Sequence, residues 1–257
     1  MPQLPPRIMN FKSRCLFIAK WFLLLSIGLN IPALVTSASV TKQNQAFGSL
    51  KPDFKTVFSE LYNILALDSL GLSREAFSEA VTGYLNLQRR GIIQNTGVLS
   101  IVDFSIPSFK KRLFVLDLVN EKLLFNTLVA HGRNSGQILA TRFSNRSRSF
   151  QSSLGFYLTG ETYQGQNGYS LRLVGMEQGI NDNAYRRGII VHAASYVNDD
   201  ISRKYGRLGR SEGCPAIPAD IHRVVIEAIK DGSCFFIYGK DKRYAGRSKL
   251  LAKQSIS

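Results

Sequence analysis

The chain has 257 residues, of which 44% are hydrophobic and 11% aromatic, and its 33 basic residues against 18 acidic ones give a formal net charge of +15. This composition excludes a disordered chain and leaves room for one domain with a sizeable core. The charge favours anionic partners, but the sequence contains no nucleic-acid recognition motif and no basic stripe interleaved with aromatic residues, so nucleic acid is not expected as a partner.

Residues 1–38 have the organisation of a secretory signal peptide. Four basic and no acidic residues lie within residues 1–20, an apolar run follows over 21–35, and Thr36 and Ala38 supply small side chains at the −3 and −1 positions of a cleavage site. A membrane anchor is the alternative, but the apolar run is short for a bilayer and contains an asparagine and a proline. The sequence therefore predicts cleavage after Ala38.

Export changes the interpretation of the charge. Removal of the four basic residues of the leader leaves 29 basic and 18 acidic residues in the mature chain. Outside the cytoplasm such a surface favours polyanions, and anionic cell-wall polymers are the candidate partners. We expect an exported protein with no stable membrane span once the signal peptide is removed.

Helices are predicted before the main domain. Residues 39–51 are polar and are interpreted as a linker, and residues 52–96 as a small helical subdomain, because apolar residues recur there at helical spacing in two stretches. Ser73 suits the N-cap of the second helix, and Gly91 suits its C-terminal stop. The apolar positions are Phe54, Val57, Phe58, Leu61 and Leu65 in the first stretch, and Phe77, Ala80, Val81, Tyr84 and Leu85 in the second.

The pattern of residues 97–240 predicts a mainly β domain with accessory helices. Short runs rich in β-branched and aromatic residues alternate with turn residues, which favours a β-sandwich or barrel over βαβ units. One helix is predicted over residues 218–232, after a glycine-rich loop, and a last strand over 233–239. Residues 241–257 form a basic C-terminal tail, which is interpreted as solvated surface.

Cys214 stands between a glycine and a proline in the loop GRLGRSEGCPAIP, residues 206–218. A cysteine that only packs in the core normally lies inside an apolar element, as Cys234 does. A cysteine on a turn therefore indicates a chemically reactive thiol. Arg207, Arg210 and the start of the helix predicted after the loop would favour a thiolate. A structural cysteine, a Cys–His metal site and a disulfide to Cys234 are the alternatives. Neither CxxC nor HExxH occurs, so no metal is predicted.

The sequence offers three histidines as a base for this thiol. His192 ends the apolar strand GIIVH, so its ring is expected at the edge of the sheet, where a loop can return Cys214 to it. The backbone N–H groups of Gly213 and Cys214 are candidates for an oxyanion hole. Ser211 is a candidate for a hydrogen bond within the loop or to substrate, and His222 is interpreted as a solvated helical residue.

Several segments, in order, resemble the murein L,D-transpeptidase catalytic-domain family, the cysteine enzymes of the bacterial cell wall. They are VAHGRNSG, SSLGFYLTGETYQGQNGYSLRL, GINDNAYRRGIIVH, VHAASYVNDD and GRLGRSEGCPAIP, and they cover about residues 97–240. The resemblance implies an L,D-transpeptidase-like fold without cofactors, in a protein that is periplasmic or cell-wall associated in a bacterium. It also implies that Cys214 attacks the L-centre carbonyl of diaminopimelate in a tetrapeptide stem of peptidoglycan, that D-alanine leaves, and that an amine of a second stem completes a 3→3 crosslink. His192 would be the base, oriented by a backbone carbonyl.

One departure from the family pattern leaves the acyl acceptor open. Better-known members carry an arginine two residues after the cysteine, whereas this chain has Cys214–Pro215–Ala216. An L,D-carboxypeptidase or another peptidoglycan hydrolase with the same Cys and His is therefore an alternative. A non-catalytic cell-wall binding module is an alternative of a different class, and it would tolerate loss of the thiol.

Five further residues are candidates for substrate binding. Tyr169 and Arg172 lie in a segment that would line a groove for the donor stem. His131 and Arg133, near the end of another predicted strand, and Arg210, in the cysteine loop, are candidate contacts to the anionic stem. His131 can equally be interpreted as a histidine at the end of a strand that makes only local hydrogen bonds and does not contact substrate.

Overall fold

The computed structural model describes residues 54–252. The predicted signal peptide and linker lie outside this range, as does the end of the basic tail. The chain divides into two units between Val57 and Phe58, and apart from the start of the first helix the description below concerns residues 58–252. Within residues 54–252, no helix has both the length and the apolar character needed to cross a membrane.

Eight strands and five helices make up the described part of the chain. The strands are β1 (Asn95–Asp103), β2 (Leu113–Asp117), β3 (Lys122–Thr127), β4 (Gly155–Gly165), β5 (Gly168–Gly175), β6 (Ile190–Ala193), β7 (Ala216–Ile217) and β8 (Ser233–Tyr238). The helices are α1 (Phe54–Ile64), α2 (Arg74–Arg89), α3 (Asp199–Tyr205), α4 (His222–Ile229) and α5 (Lys242–Arg247). The predicted mainly β class with accessory helices is confirmed.

All eight strands belong to one mixed sheet of order β3-β2-β1-β8-β4-β5-β6-β7. The pairs β1–β8 and β6–β7 are parallel, and the other pairs are antiparallel. The two ends of this order approach each other, because the Ala130 N–H, just after β3, donates to the Ala216 carbonyl of β7 over 2.8 Å. The sheet is therefore nearly closed.

Helix α2 packs on the sheet through the apolar face that the sequence predicts. The Ser73 side chain accepts from the Ala76 N–H over 3.2 Å, which confirms the predicted N-cap, and its hydroxyl donates to Asp103 at the end of β1. Gly83 lies directly against the Phe156 ring of β4, where a methyl group would collide with it. Apolar residues of α2 and of the sheet form one core cluster.

Two helices differ from the sequence-based expectation. Helix α4 begins at His222 rather than near residue 218, because residues 216–217 first pair as β7. Its N-terminus is thus separated from Cys214 by a strand and a turn. Helix α3, which was not predicted, fills part of the connection between β6 and the cysteine loop; Asn198 caps it, accepting from the Ile201 N–H over 2.8 Å.

The segment predicted as a solvated basic tail is packed as far as residue 252. The Tyr244 hydroxyl donates to the buried Glu177 carboxylate over 2.9 Å, and the Ser248 hydroxyl donates to the same carboxylate. Leu250 is buried, and its carbonyl accepts from the Asn86 side chain over 2.7 Å. The lysines and arginines of this segment stay exposed, so it combines a basic outer surface with an anchored inner one.

Candidate active site

His192 lies on β6 with its ring held by the backbone. Its side chain is buried, and Nδ1 lies 2.8 Å from the Ala193 carbonyl oxygen. A ring nitrogen at this distance from a carbonyl carries the proton and donates it, so Nε2 has a free lone pair. Burial lowers the pKa of His192, and the bond to Ala193 opposes this shift. The imidazole is therefore neutral near pH 7 and able to accept a proton.

The pairing of β6 with β7 brings the cysteine loop beside the strand of His192. In the parallel register His192 is opposite Ala216, and Cys214 lies in the bend two residues before Ala216. The Cys214 thiol is half-buried and donates to the Gly188 carbonyl over 3.5 Å.

Cys214 and Cys234 are both free thiols, so the structure has no disulfide between them. Cys234 is fully buried in β8, which confirms its prediction as a core residue. Burial raises the pKa of the Cys214 thiol, whereas a hydrogen bond from the Ile190 backbone and the positive charge of Arg187 lower it. Cys214 is thus the cysteine with both solvent access and groups that favour a thiolate.

Ser211 and Gly213 shape the turn that displays Cys214. The Ser211 hydroxyl donates to the Cys214 carbonyl over 2.6 Å and accepts from the Gly213 N–H over 3.1 Å. The Gly213 N–H is therefore engaged inside the loop, which does not fit the oxyanion role expected for it. Gly213 has φ +131°, and a Cβ there would lie 2.9 Å from the Gln151 carbonyl oxygen, so the turn requires glycine.

His131 is placed under the site and not in it. Its side chain is fully buried, with Nδ1 2.8 Å from Nη2 of the buried Arg112 and Nε2 3.3 Å from the Gly136 carbonyl oxygen. The expectation of a substrate contact is corrected here, because the ring has no exposed surface. Its backbone carbonyl accepts from the Ser211 N–H over 3.0 Å, so His131 supports the cysteine loop from below.

Arg133 and Arg210 are bonded to the backbone around the cysteine loop, and their contact with an anionic substrate stays a prediction. The Arg210 side chain donates to the carbonyls of Arg133 and Gly136 over 3.0 and 3.1 Å. The Arg133 side chain lies over the Phe150 ring and 3.5 Å from the Glu212 carboxylate. The backbones are joined as well, since the Arg133 N–H donates to the Ser211 carbonyl over 2.7 Å.

The structure separates Tyr169 from Arg172. Arg172 pairs with Ile190 across β5 and β6, which places it on the face that carries His192. Tyr169 is three residues earlier and so lies on the opposite face, where its hydroxyl donates to Glu227 of α4. Arg172 therefore remains a candidate for substrate binding, whereas Tyr169 fastens α4 to the sheet.

Two arginines were not singled out in the sequence. Arg187 precedes β6, and its Nη2 would lie 3.1 Å from a Cβ built on Gly213, which places its guanidinium beside the cysteine turn. Arg112 is fully buried and donates to the carbonyls of Val129 and Ile106. Arg112 could have been found in the sequence, because it stands at the start of the apolar run LFVL. The only sequence signal for Arg187 is that it precedes the apolar strand that contains His192.

A cavity of about 470 Å³ opens beyond the carboxyl ends of β6 and β7. Its lining combines apolar side chains with both charge signs, since Lys111, Asp199 and Asp220 are among its residues. Neither Cys214 nor His192 lines it. The cavity is therefore separate from the immediate surroundings of the thiol.

The fold and the site define a class: a mainly β domain with a free thiol and a neutral imidazole on neighbouring segments of its sheet. The chain belongs to the L,D-transpeptidase catalytic domain family, whose family model matches residues 68–238. Members of this family act on the peptides of peptidoglycan. A search of curated proteins found no match.

Similar solved structures are also L,D-transpeptidases. One from Mycobacterium smegmatis has 13% identity and a TM-score of 0.35, with 56% of this chain and 59% of that chain covered. One from Mycobacterium tuberculosis has 12% identity and a TM-score of 0.33, covering 56% and 62%. One from Stackebrandtia nassauensis has 12% identity and a TM-score of 0.35, covering 73% and 78%. The chain thus spans about three fifths of the length of the two mycobacterial proteins.

Proposed function

We propose that this protein is an exported peptidoglycan-modifying enzyme that forms 3→3 crosslinks through an acyl-enzyme on Cys214. The observation that carries the proposal is the free thiol of Cys214, two residues before the strand partner of His192, together with a buried imidazole whose Nδ1 is already committed to the Ala193 carbonyl. Such a pair is the arrangement needed for a base-activated nucleophile. The family supports the substrate class, the stem peptides of peptidoglycan.

The chemistry follows from the protonation states of these two groups. Nε2 of His192 removes the proton from Sγ of Cys214, and the thiolate attacks the L-centre carbonyl of diaminopimelate in the donor stem. The carbon–nitrogen bond to D-alanine breaks, and the amine leaves with the proton held by His192. The amine of a second stem then attacks the thioester, gives up a proton to His192, and releases the amide product with the thiolate as leaving group, which takes that proton back from His192.

The oxyanion formed at the attacked carbonyl needs a donor in the loop. The Gly213 N–H is bonded to Ser211, so we assign this role to the Cys214 N–H, whose position in the turn is fixed by the Ser211 hydroxyl. A backbone donor preorganised in this way contributes on the order of 3 kcal/mol to transition-state stabilisation. Ser211 is accordingly a positioning residue, and Arg172, Arg133 and Arg210 are proposed to hold the acidic stem.

Hydrolysis of the acyl-enzyme is the second candidate function. Ala216 stands where better-known family members carry an arginine, and here it is fully buried, paired with His192 across β6 and β7. An arginine side chain does not fit there, so a positive charge that would hold the acceptor is missing at this position. Water as acceptor would make the protein an L,D-carboxypeptidase with the same Cys214 and His192.

Export is proposed because residues 1–38 have the organisation of a signal peptide. The basic surface of the mature chain would then hold the protein near anionic wall polymers. N-terminal sequencing of the protein recovered from the exported fraction should begin near Ser39. An intact Met1 in that fraction would contradict cleavage and would favour an anchor.

The function is tested by incubating residues 39–257 with purified tetrapeptide muropeptides and identifying the products by mass spectrometry. Dimers with 3→3 linkage support transpeptidation, and tripeptide monomers support the carboxypeptidase. Cys214→Ala is the control and should give neither product. Products formed by Cys214→Ala, or crosslinks that retain D-alanine at the bond, would refute the mechanism.

A further inference from the structure

Arg187 has a guanidinium that is held rigidly next to the cysteine turn. Its Nη1 donates to the Ser144 carbonyl over 2.7 Å and to the Ser153 hydroxyl over 2.5 Å. Its Nη2 donates to the Gln151 carbonyl over 2.5 Å and to the Ser149 hydroxyl over 3.3 Å. A guanidinium has four hydrogens on these two nitrogens, so all four are used by the segment 144–153.

The stretch Arg187–Gly188 borders the cysteine turn at two points. Nη2 would lie 3.1 Å from a Cβ on Gly213, the residue before Cys214. The residue after Arg187 is Gly188, and its carbonyl accepts from the Cys214 thiol over 3.5 Å. The side chain and the backbone of one short stretch thus border both the turn and the sulfur.

Arg187 has no carboxylate partner within 4.0 Å in the part of the chain that the structure describes. It is half-buried, and this burial lowers its pKa, whereas the nearby Tyr157 and Cys214 raise it. A partly desolvated cation without a counter-ion is costly unless an anion forms beside it. The anion available here is the Cys214 thiolate.

We propose that Arg187 is a positioning residue of this site, which fixes the segment 144–153 against the cysteine turn and supplies the positive charge that stabilises the Cys214 thiolate. The proposal rests on the proposed function in taking Cys214 as the nucleophile. Arg187 keeps its own proton throughout; the proton of Sγ passes to Nε2 of His192.

Arg187 supplies a positive charge near the thiol, but it does not replace the missing family arginine as a group that binds substrate. All four Nη hydrogens are engaged with the protein, so Arg187 does not offer them to a substrate carboxylate. Arg187 acts on the Cys214 thiol through the electrostatic field of its positive charge. The other charged and titratable groups near Cys214 are Glu212, which raises the pKa of the thiol, and Tyr196, whose own pKa is raised by burial and by the charges of Cys214 and Glu212.

The test is the pH dependence of Cys214 alkylation by iodoacetamide, followed by peptide mass mapping in residues 39–257. The rate follows the thiolate fraction, rising with pH and levelling off once the thiol is ionised. Arg187→Met should slow alkylation about tenfold at pH 7, equal to about 1.4 kcal/mol, and should move the midpoint of the profile to higher pH. The rate at the plateau should stay that of the wild type.

Arg186→Met is the matched control, because Arg186 is the adjacent arginine, is exposed, and bonds only to Asn183 in the described structure. It removes the same formal charge and should leave the midpoint in place. Arg187→Lys cannot supply four hydrogen bonds, but it keeps the positive charge. Because the charge sets the pKa of the thiol, the midpoint of this variant should lie near that of the wild type. Arg187→Gln is the neutral comparison if Arg187→Met does not fold.

The outcomes separate this inference from the proposed function, because alkylation requires no peptidoglycan. An unmoved midpoint in the neutral variants overturns the role of Arg187, even if muropeptides are crosslinked. A change of rate by one factor at every pH also overturns it, since that reports a purely structural effect on access. A raised midpoint in a protein that yields no muropeptide product sustains the inference while the proposed function fails.

Discussion

The buried pair of Arg112 and His131 should make the stability of this protein fall steeply in mild acid. Nε2 of His131 donates to the Gly136 carbonyl, so a second proton has to enter on Nδ1, which lies 2.8 Å from the guanidinium of Arg112. Burial lowers the pKa of Arg112 to about 9, against the opposing charge of Asp103, so this side chain is positive at pH 7 and below. Protonation of His131 would place two cations in contact inside the core.

The size of the effect follows from the pKa of His131. Burial, together with the charge of Arg112, lowers this pKa from 6.5 to about 3. Since each pKa unit is 1.36 kcal/mol, the site contributes on the order of 5 kcal/mol to the free energy of unfolding when it is neutral in both states. Between pH 6.5 and about 3 the unfolded chain binds a proton here that the folded chain does not. The contribution is therefore complete above pH 6.5 and is lost as the pH falls toward 3.

Urea unfolding at several pH values between 7 and 4 measures this contribution. The buried carboxyl of Glu79, whose pKa burial raises to about 7, titrates in the same range with the opposite sign, so the informative quantity is the difference between variants. The wild type should lose up to about 1.4 kcal/mol per pH unit relative to His131→Gln. His222→Gln shows the effect of losing a histidine outside this network. Parallel pH profiles for wild type and His131→Gln would refute the pairing of His131 with Arg112.

Three further predictions concern the cysteine loop. His192→Ala should lower the rate of covalent adduct formation with a carbapenem by about 10²- to 10⁴-fold at neutral pH, with partial recovery at higher pH; an intact-mass time course that matches the wild type would exclude His192 as the base. Gly213→Ala should cost about 1–3 kcal/mol in thermal unfolding, because φ +131° strains any other residue, and an unchanged melting temperature would show that the turn relaxes freely. Iodoacetamide should label Cys214 without prior reduction and leave Cys234 unlabelled until the protein unfolds; a Cys214–Cys234 bridge in active protein would contradict this.

The elements that local patterns can specify were predicted well. Helix α2 has an apolar face and a Ser73 cap, and both are consequences of spacing within one stretch of chain. Cys234 is a core residue because it lies in a continuous apolar run. The position of His192 at the end of a strand could likewise be inferred from GIIVH, since an apolar run that ends in a polar residue marks the edge of a sheet.

The residues that the sequence did not reveal depend on contacts between distant segments. Arg187 meets Gln151 and Gly213, so its role exists only once three parts of the chain have come together. A strand-end histidine can point into the core or out of it, and the buried Arg112 decides this for His131. The late start of α4 has the same origin, because pairing of residues 216–217 with β6 takes precedence over the helical pattern.

The place where the sheet closes is a seam, and the cysteine loop is part of it. Most strand ladders run over several residue pairs. The β5–β6 and β6–β7 ladders have two pairs each, and the seam is made of the isolated bridges Ala130–Ala216 and Gly132–Ser211. Breaking the few backbone hydrogen bonds of the seam costs less free energy than breaking a full ladder. The rest of the sheet can stay intact while the seam opens. The cysteine loop thus lies in the part of the sheet with the fewest backbone pairs, where a local separation would leave the longer ladders intact.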